Sequence, residues 1–297
     1  MTGKALAGLF VGLLLLAGCA GTADKQGSDA AETTIYAVGD IADCRHQPLA
    51  QAPAARTGQL LRQTTGTILA LGDIAYQKGS YADFKNCFEP TWGGLKERIL
   101  PAAGNHEYLT PGASDYFGYF GPVAGEAGKG YYGTHVGSWH VIALNSNIDM
   151  ATGSEQERWL RGELAADNSR CTLVFWHHPL FASTARGNNP KIRAVWQTLY
   201  DSGVDVVLNG HEHLYERFAL QTPDGIADPV RGIREFVVGT GGGDIDSFVA
   251  KQPNSEAGES GAFGVLELTL RKDGYSWKFL PAADASFTDS GEGKCHD

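Results

Sequence analysis

The sequence predicts an α/β fold shading into α+β, and three observations point there. From Thr33 onward, short apolar runs rich in β-branched residues alternate with stretches of helical period, the order of βαβ units around a buried sheet. In the last third, "REFVVGTGGG", "GAFGVLELTL" and "GYSWKFLP" read as strands with no helix between them. No repeat or low-complexity break divides residues 33–297, so one domain is expected there.

The elements follow in order. "TIYAVGD" (34–40) is a strand, "PLAQAPAARTGQLLRQ" (48–63) a helix and "TILALGD" (67–73) a second strand. "RILPAAGNHE" (98–107) and "SWHVIALNSN" (138–147) continue the sheet. "SEQERWLRGELAAD" (154–167) is helical, with Ser154 as its N-cap. "CTLVFWHHP" (171–179), the helical "KIRAVWQTLYDSG" (191–203) and "VDVVLNGHEH" (204–213) complete the alternation.

Residues 1–18 read differently. Lys4 is their only charged side chain, and Ala5 to Ala17 form an apolar run too short to span a bilayer. Such a run matches the core of a secretory signal peptide. "LAGC" (16–19) looks like a bacterial lipobox, whose Cys19 becomes the lipidated first residue of the mature chain; the alternative is a plain secretory signal with an incidental cysteine. Residues 19–32 are small, polar and aperiodic, as in a flexible tether. An exported lipoprotein, anchored at the cell surface or in the periplasm through Cys19, is therefore expected. The remaining Cys44, Cys87, Cys171 and Cys295 suggest two disulfides in an exported chain. Of three possible pairings, Cys44–Cys87 with Cys171–Cys295 is favoured: one ties two loops near the candidate site, the other pins the C-terminal tail.

The formal net charge is −10, a poor match for nucleic acid, whose backbone calls for Lys and Arg. An anionic substrate would need strong local positive charge. The residues after the apolar runs suggest its source: Asp40, Asp73, Asn105 and His106, His177 and His178, then His211 and His213. Ligands of open α/β sheets bind at the carboxyl ends of strands. Carboxylate, amide and imidazole donors suit hard-to-borderline cations. In an extended segment, residues i and i+2 face one side, so His211 and His213 can serve one site together.

"GD" (39–40), "GDIAY" (72–76), "GNHE" (104–107), "VFWH" (174–177) and "GHEH" (210–213) stand in the order of the calcineurin-like metallophosphoesterases. Tyr76, "WHHP" (176–179) and "YERF" (215–218) resemble the purple acid phosphatase branch. That resemblance implies a four-layer αββα sandwich of two packed mixed β-sheets. It implies that Asp40, Asp73, Tyr76 and His213 hold one metal ion, and Asp73, Asn105, His177 and His211 a second, with Asp73 bridging. Tyrosinate at Tyr76 implies Fe(III), with a divalent Zn, Mn or Fe beside it. A phenol of ordinary pKa about 10 needs a strong Lewis acid to ionise near neutrality, which agrees. His106 is implied to contact phosphate or protonate the leaving alkoxide, and His178 to assist from beside a ligand. The implied reaction is hydrolysis of a small phosphorylated substrate, a monoester, by direct attack of metal-bound hydroxide on phosphorus. Phosphodiester or nucleotide hydrolysis on the same site is the alternative within chemistry. A non-catalytic, metal-binding or metal-scavenging surface lipoprotein is the alternative outside it.

Other candidates receive structural readings. Asp43 is read as a turn former, His46 as a solvated loop residue, His135 and His140 as structural, and His296 as tail. Arg217 is expected to pair with Glu212 or Glu216 and brace the histidine loop. "VGTGGG" (238–243) lacks the GKS or GKT ending of a phosphate loop and is read as a flexible loop near the site. The six tryptophans are assigned to the core, with "WGG" (92–94) bordering the pocket.

Overall fold

The computed structural model describes residues 1–5, 8, 32–282 and 285–296. Cys19, the tether up to residue 31 and most of the leader lie outside them. No helix among the described residues is long and apolar enough to cross a membrane.

The first seven strands are β1 (Thr33–Val38), β2 (Thr67–Leu71), β3 (Ile99–Ala102), β4 (Tyr132–Val136), β5 (Trp139–Ala143), β6 (Cys171–Phe175) and β7 (Val206–Asn209). The rest are β8 (Tyr215–Phe218), β9 (Arg234–Val238), β10 (Ser255–Glu259), β11 (Gly264–Arg271), β12 (Gly274–Pro281) and β13 (Ser290–Lys294). They form two mixed sheets, ordered β13-β12-β11-β1-β2-β3 and β10-β8-β9-β7-β6-β5-β4. Strands β1, β2 and β3 run parallel in the first sheet; β5, β6, β7 and β9 run parallel in the second. The expected two-sheet sandwich is the observed fold.

Period-two alternation explains the layering. Along β6, Cys171, Leu173 and Phe175 join the central core, which residues of the first sheet such as Ile35, Leu69 and Leu268 also enter. The intervening Val174 joins a second cluster, with Leu160 of one helix and Val195, Trp196 and Leu199 of another. Val207 and Val237 follow the same rule. Strands apolar on both faces are those a sheet must bury between layers.

Helix ends follow local chemistry. The helix expected from residue 48 begins at Pro53, after a separate 3-10 turn at Leu49–Gln51. Ala52 precedes a proline, which pushes it to ψ 140 and prevents one continuous helix. Ser154 caps Glu155–Ala166, its side chain accepting from the Glu157 N–H at 3.2 Å. The expected 191–203 helix is Pro190–Ile192 in 3-10 form followed by Arg193–Asp201. Helix Ser114–Phe120 and strands β4, β8, β10 and β13 went unread.

Three local expectations change. Arg217 does brace, but against Asp289 (Nε to Oδ2, 2.7 Å) and Glu256, not Glu212 or Glu216. Alternation on β8 turns Arg217 away from Glu216, onto the side where the returning chain brings Asp289. Trp92 is fully buried and donates to Ala54 O at 2.9 Å, so it packs beneath the Pro53–Arg62 helix and does not border the site. The "VGTGGG" segment is pinned, not free: Gly241 N–H donates to Gly39 O and Gly243 N–H to Asp40 O.

Disulfides join Cys44 to Cys87 and Cys171 to Cys295, the favoured pairing. The second spans 124 residues, and a loop that long restricts the unfolded chain most. Replacing Cys171 and Cys295 together by serine is expected to cost about 2–5 kcal/mol. The check is the midpoint of guanidinium unfolding, which should fall well below that of the parent chain.

Candidate metal centre

The loops that leave β1, β2, β3, β6 and β7 at their carboxyl ends converge on the seam between the two sheets. Backbone bonds tie them together there: Gly39 N–H donates to Val238 O, Asp40 N–H to Gly72 O, and Gly210 N–H to His177 O. Turning so sharply costs backbone strain. Asp40 (φ 58°), Asp73 (φ 50°) and His211 (φ 71°) all occupy the left-handed region that side chains seldom adopt. Gly104 permits the closest approach, since a Cβ there would lie 2.1 Å from Asp73 Oδ1.

The predicted side chains fall into two groups. In one, Tyr76 Oη lies 2.9 Å from Asp40 Oδ1, 3.0 Å from His213 Nε2 and 3.4 Å from Asp73 Oδ2. His213 Nε2 is itself 3.2 Å from Asp40 Oδ1. In the other, His177 Nε2 lies 3.1 Å from Asn105 Oδ1, 3.2 Å from Asp73 Oδ2 and 3.2 Å from His211 Nδ1. All seven predicted ligands are thus brought together, and Asp73 Oδ2 belongs to both groups.

His177 Nδ1–H donates to Leu71 O at 2.8 Å, and His213 Nδ1–H to Asp244 O. Each leaves Nε2 as the nitrogen facing the cluster, as in metal-ligating histidines whose other ring N–H is fixed by a carbonyl. The donor atoms then point lone pairs at one another with too few protons to join them, which fits a cation in each group. Charge balance agrees. Burial opposes charge on His177 and His213, yet Asp73 and Asp40 outweigh it and raise both to about 9. Burial likewise opposes ionisation of Asp73, and His177 overrides it, holding the carboxyl at about 2. Burial, then the Asp40 and Asp73 carboxylates, push the Tyr76 phenol well above its ordinary value. Protons and cations compete for the same atoms, and these carboxylates demand positive charge from one or the other.

The two predicted non-ligand histidines differ. His106 is partly exposed; its Nδ1 lies 2.6 Å from Gln77 O, its Nε2 3.8 Å from Asp73 Oδ2, and its ring meets Tyr76 edge-on at 4.6 Å. His178 packs against His211 with ring centroids 4.3 Å apart. Burial, then His177, push it down to about 3, so it is neutral. Its backbone N–H donates to Ser146 Oγ, whose hydroxyl lies 2.8 Å from Nδ1. The remaining histidines lie away from the cluster. His135 and His140 pair with Asp167 and Glu163, and His296 with Asp205. His46 is exposed, and Asp43 forms the expected turn by accepting the Arg45 N–H at 3.0 Å.

Sequence reasoning missed the support. Buried Glu107 accepts from the N–H groups of Asp73 (2.9 Å), Ile74 (2.8 Å) and Gly104 (2.8 Å), clamping two ligand loops with one carboxylate. Burial and then Asp73 raise it to about 7. Its position within "GNHE" was the only available signal. Arg186 bonds Glu212 at 2.8 Å and Asp246 at 2.5 Å, and Asp246 accepts the His213 N–H at 2.9 Å. That network holds the histidine loop from outside.

Residues 33–215 match the family model described as calcineurin-like phosphoesterase. The chain belongs to that family. Within this phosphoesterase family, its relatives set it on the purple acid phosphatase-like branch. It is 26% identical over 195 residues to "Purple acid phosphatase 15" of Arabidopsis thaliana, covering 53% of this chain and 37% of that protein. It is 25% identical over 260 residues to "Fe(3+)-Zn(2+) purple acid phosphatase 12" of the same plant, covering 75% and 55%. An uncharacterized protein of Mycobacterium tuberculosis is 34% identical over 184 residues, 48% of this chain and 35% of its own. The chain therefore spans 35% to 55% of the length of these relatives. In fold, it resembles the purple acid phosphatase PPD1 of yellow lupin (Lupinus luteus), with TM-score 0.77 and 18% identity over 90% of this chain and 55% of that one.

Glu107→Gln puts an amide N–H₂ against backbone donors. It is expected to lower stability by about 1–3 kcal/mol and to leave less metal bound after dialysis. Unfolding midpoints and elemental analysis of the same preparations check both.

Proposed function

We propose that this chain hydrolyses phosphate monoesters at a two-cation centre. The observation that carries the reading is Asp73 Oδ2, 3.4 Å from Tyr76 Oη and 3.2 Å from His177 Nε2, one oxygen shared by both donor groups. Asp40, Asp73, Tyr76 and His213 would hold one ion; Asp73, Asn105, His177 and His211 the other. The phenol of Tyr76, so disfavoured as an anion, supports Fe(III) at its side. A divalent ion, Zn, Mn or Fe, suits the imidazole-rich side, and one relative's name pairs Fe(3+) with Zn(2+). A cation pair of this kind polarises phosphoryl oxygens and lowers the pKa of bound water toward about 7.

In hydrolysis, phosphorus gains the oxygen of water, the ester P–O bond breaks, and the leaving alkoxide takes a proton. His106 is suited to supply it. Nδ1–H is tied to Gln77 O, so Nε2 is the nitrogen that takes and gives a proton at the open side of the cluster. His178 has another role. Ser146 hydroxyl donation to Nδ1 places its proton on Nε2, and a neutral Nε2–H can donate to a phosphoryl oxygen. The two disulfides suit an oxidising compartment, in keeping with an exported chain anchored through Cys19.

The test uses p-nitrophenyl phosphate and its bis-ester. The monoester is expected to turn over faster; preference for the diester would reverse the substrate assignment. His106→Ala should lower kcat by about 10²–10⁴-fold with both metals retained. Asp73→Asn should lose metal and activity together, and unchanged hydrolysis by both variants would place the chemistry elsewhere. Purified protein should show a broad visible band that Tyr76→Phe removes; a colourless zinc protein would overturn the ferric assignment.

A further inference from the structure

Two arginines border the loops that carry the centre, and they differ in what they have left to give. Arg45 uses all three of its nitrogens: Nε lies 2.9 Å from Asp43 Oδ1, Nη1 3.1 Å from Gln77 Oε1 and Nη2 2.5 Å from Asp43 Oδ2. Arg186 uses only Nη1, which donates to Glu212 Oε2 at 2.8 Å and Asp246 Oδ2 at 2.5 Å. Its Nε and Nη2 have no partner among the described residues. Those two nitrogens form one edge of the guanidinium, the edge that grips a carboxylate or phosphate with two parallel bonds. The carboxylates on Nη1 fix the plane of that fork in advance.

Arg186 lines a cavity of about 170 Å³ together with His211, a candidate ligand of the second ion. Pro179, Asn188, Asn189 and Pro190 form other parts of its wall. Pro179 directly follows His178, and His178 packs against His211 with ring centroids 4.3 Å apart. The cavity therefore adjoins the His178–His211 side of the centre.

Its polar lining is committed in one direction. Asn188 Oδ1 accepts the Ala182 N–H at 3.2 Å, and Asn189 Oδ1 the Lys191 N–H at 3.3 Å. Backbone donors thus fix which way each amide faces, and the two NH₂ groups are the ends left over. Glu212 also lines the cavity, but it is 1% exposed. Its Oε2 is taken by the Thr184 hydroxyl at 2.5 Å and by Arg186 Nη1. What the wall has to offer is donors: Arg186 Nε and Nη2, Asn188 Nδ2 and Asn189 Nδ2. A sugar hydroxyl brings a proton of its own that such a wall cannot accept. A carboxylate or phosphate brings acceptors.

We propose that this cavity is an anion subsite beside the second candidate ion, in which the Nε–Nη2 edge of Arg186 takes a carboxylate or phosphate group. The anion comes either as a second charged group on the substrate or as free phosphate, the product of the reaction proposed above.

Calorimetry on the metal-loaded protein separates these sources. Propylphosphonate carries one anionic group, and 3-phosphonopropionate has the same reach but ends in a carboxylate. A second charged group held in the cavity should make 3-phosphonopropionate bind about 10–100-fold more tightly. Asn188→Asp keeps the acceptor for Ala182 and replaces the amide donor by oxygen, so it should erase that gain. Arg186→Lys keeps a positive charge beside Glu212 and Asp246, removes the fork, and should erase it too. If Arg186→Lys gives up metal, Asn188→Asp decides. If free phosphate is the occupant, the phosphonates bind alike. Inorganic phosphate then binds as a second equivalent to protein saturated with propylphosphonate, and Asn188→Asp abolishes that equivalent. Equal phosphonate affinities with no second equivalent of phosphate would overturn the subsite, as would either effect persisting in Asn188→Asp. Failure of propylphosphonate to bind would count against the phosphoesterase reading alone. Inorganic phosphate titrated by itself would then decide the subsite: binding lost in Asn188→Asp supports it, and no binding overturns it.

Discussion

Two buried carboxylates, Asp40 and Asp73, sit within reach of one phenol oxygen, and the rest of the molecule is arranged around that fact. Burying like charges side by side is costly unless opposite charge or hydrogen-bond donors meet them. Part of the compensation is visible in the protein itself. Asp40 Oδ2 accepts the His211 N–H and Asp73 Oδ1 the His106 N–H, each at 2.8 Å. The remaining oxygens, Asp40 Oδ1 and Asp73 Oδ2, face imidazole nitrogens and the phenol. They are left for whatever positive charge the site recruits.

Such a cluster needs a scaffold that cannot relax. No single sheet supplies it: Asp40, Asp73 and Asn105 come from the first, His177, His211 and His213 from the second. The seam is closed by backbone bonds between strand ends, by Glu107 gripping N–H groups of both the Asp73 and the Gly104 loops, and by the Arg186 network behind His213. Left-handed backbone at Asp40, Asp73 and His211 is the local cost of aiming three side chains inward. The large two-sheet core, where β6, β7 and β9 are apolar on both faces, is what offsets it.

Much of this was legible in the sequence because strand ends are local. An apolar run followed by a donor residue, with a glycine between them at Asp40, Asp73, Asn105 and His211, can be read without knowing the partner strands, and all seven candidate ligands converge. Element edges were readable only where a specific rule applied: Pro53 moved a helix start by five residues, and Ser154 capped as expected. What escaped was long-range and polar. Asp289 lies 72 residues from Arg217, and Asp246 lies 33 from His213, so neither spacing carries a signal. Nearby glutamates made Arg217 look locally paired, whereas β8 pleating and the returning chain chose otherwise. Glu107 stood in plain view within a motif, yet its task depends on Asp73, Ile74 and Gly104 meeting in space.

The Cys171–Cys295 bond has a topological result beyond stability. It closes a covalent ring that starts in the middle of the second sheet, passes through β7 to β13, and so threads both layers. The connection between β8 and β9, where Ile226 and Val230 are exposed, lies inside that ring. A protease cut there would yield two pieces that stay joined at the sulfur bridge. All seven candidate ligands precede the cut, so what the bridge retains is β9 to β13, with the Gly241 and Gly243 contacts to the Asp40 loop.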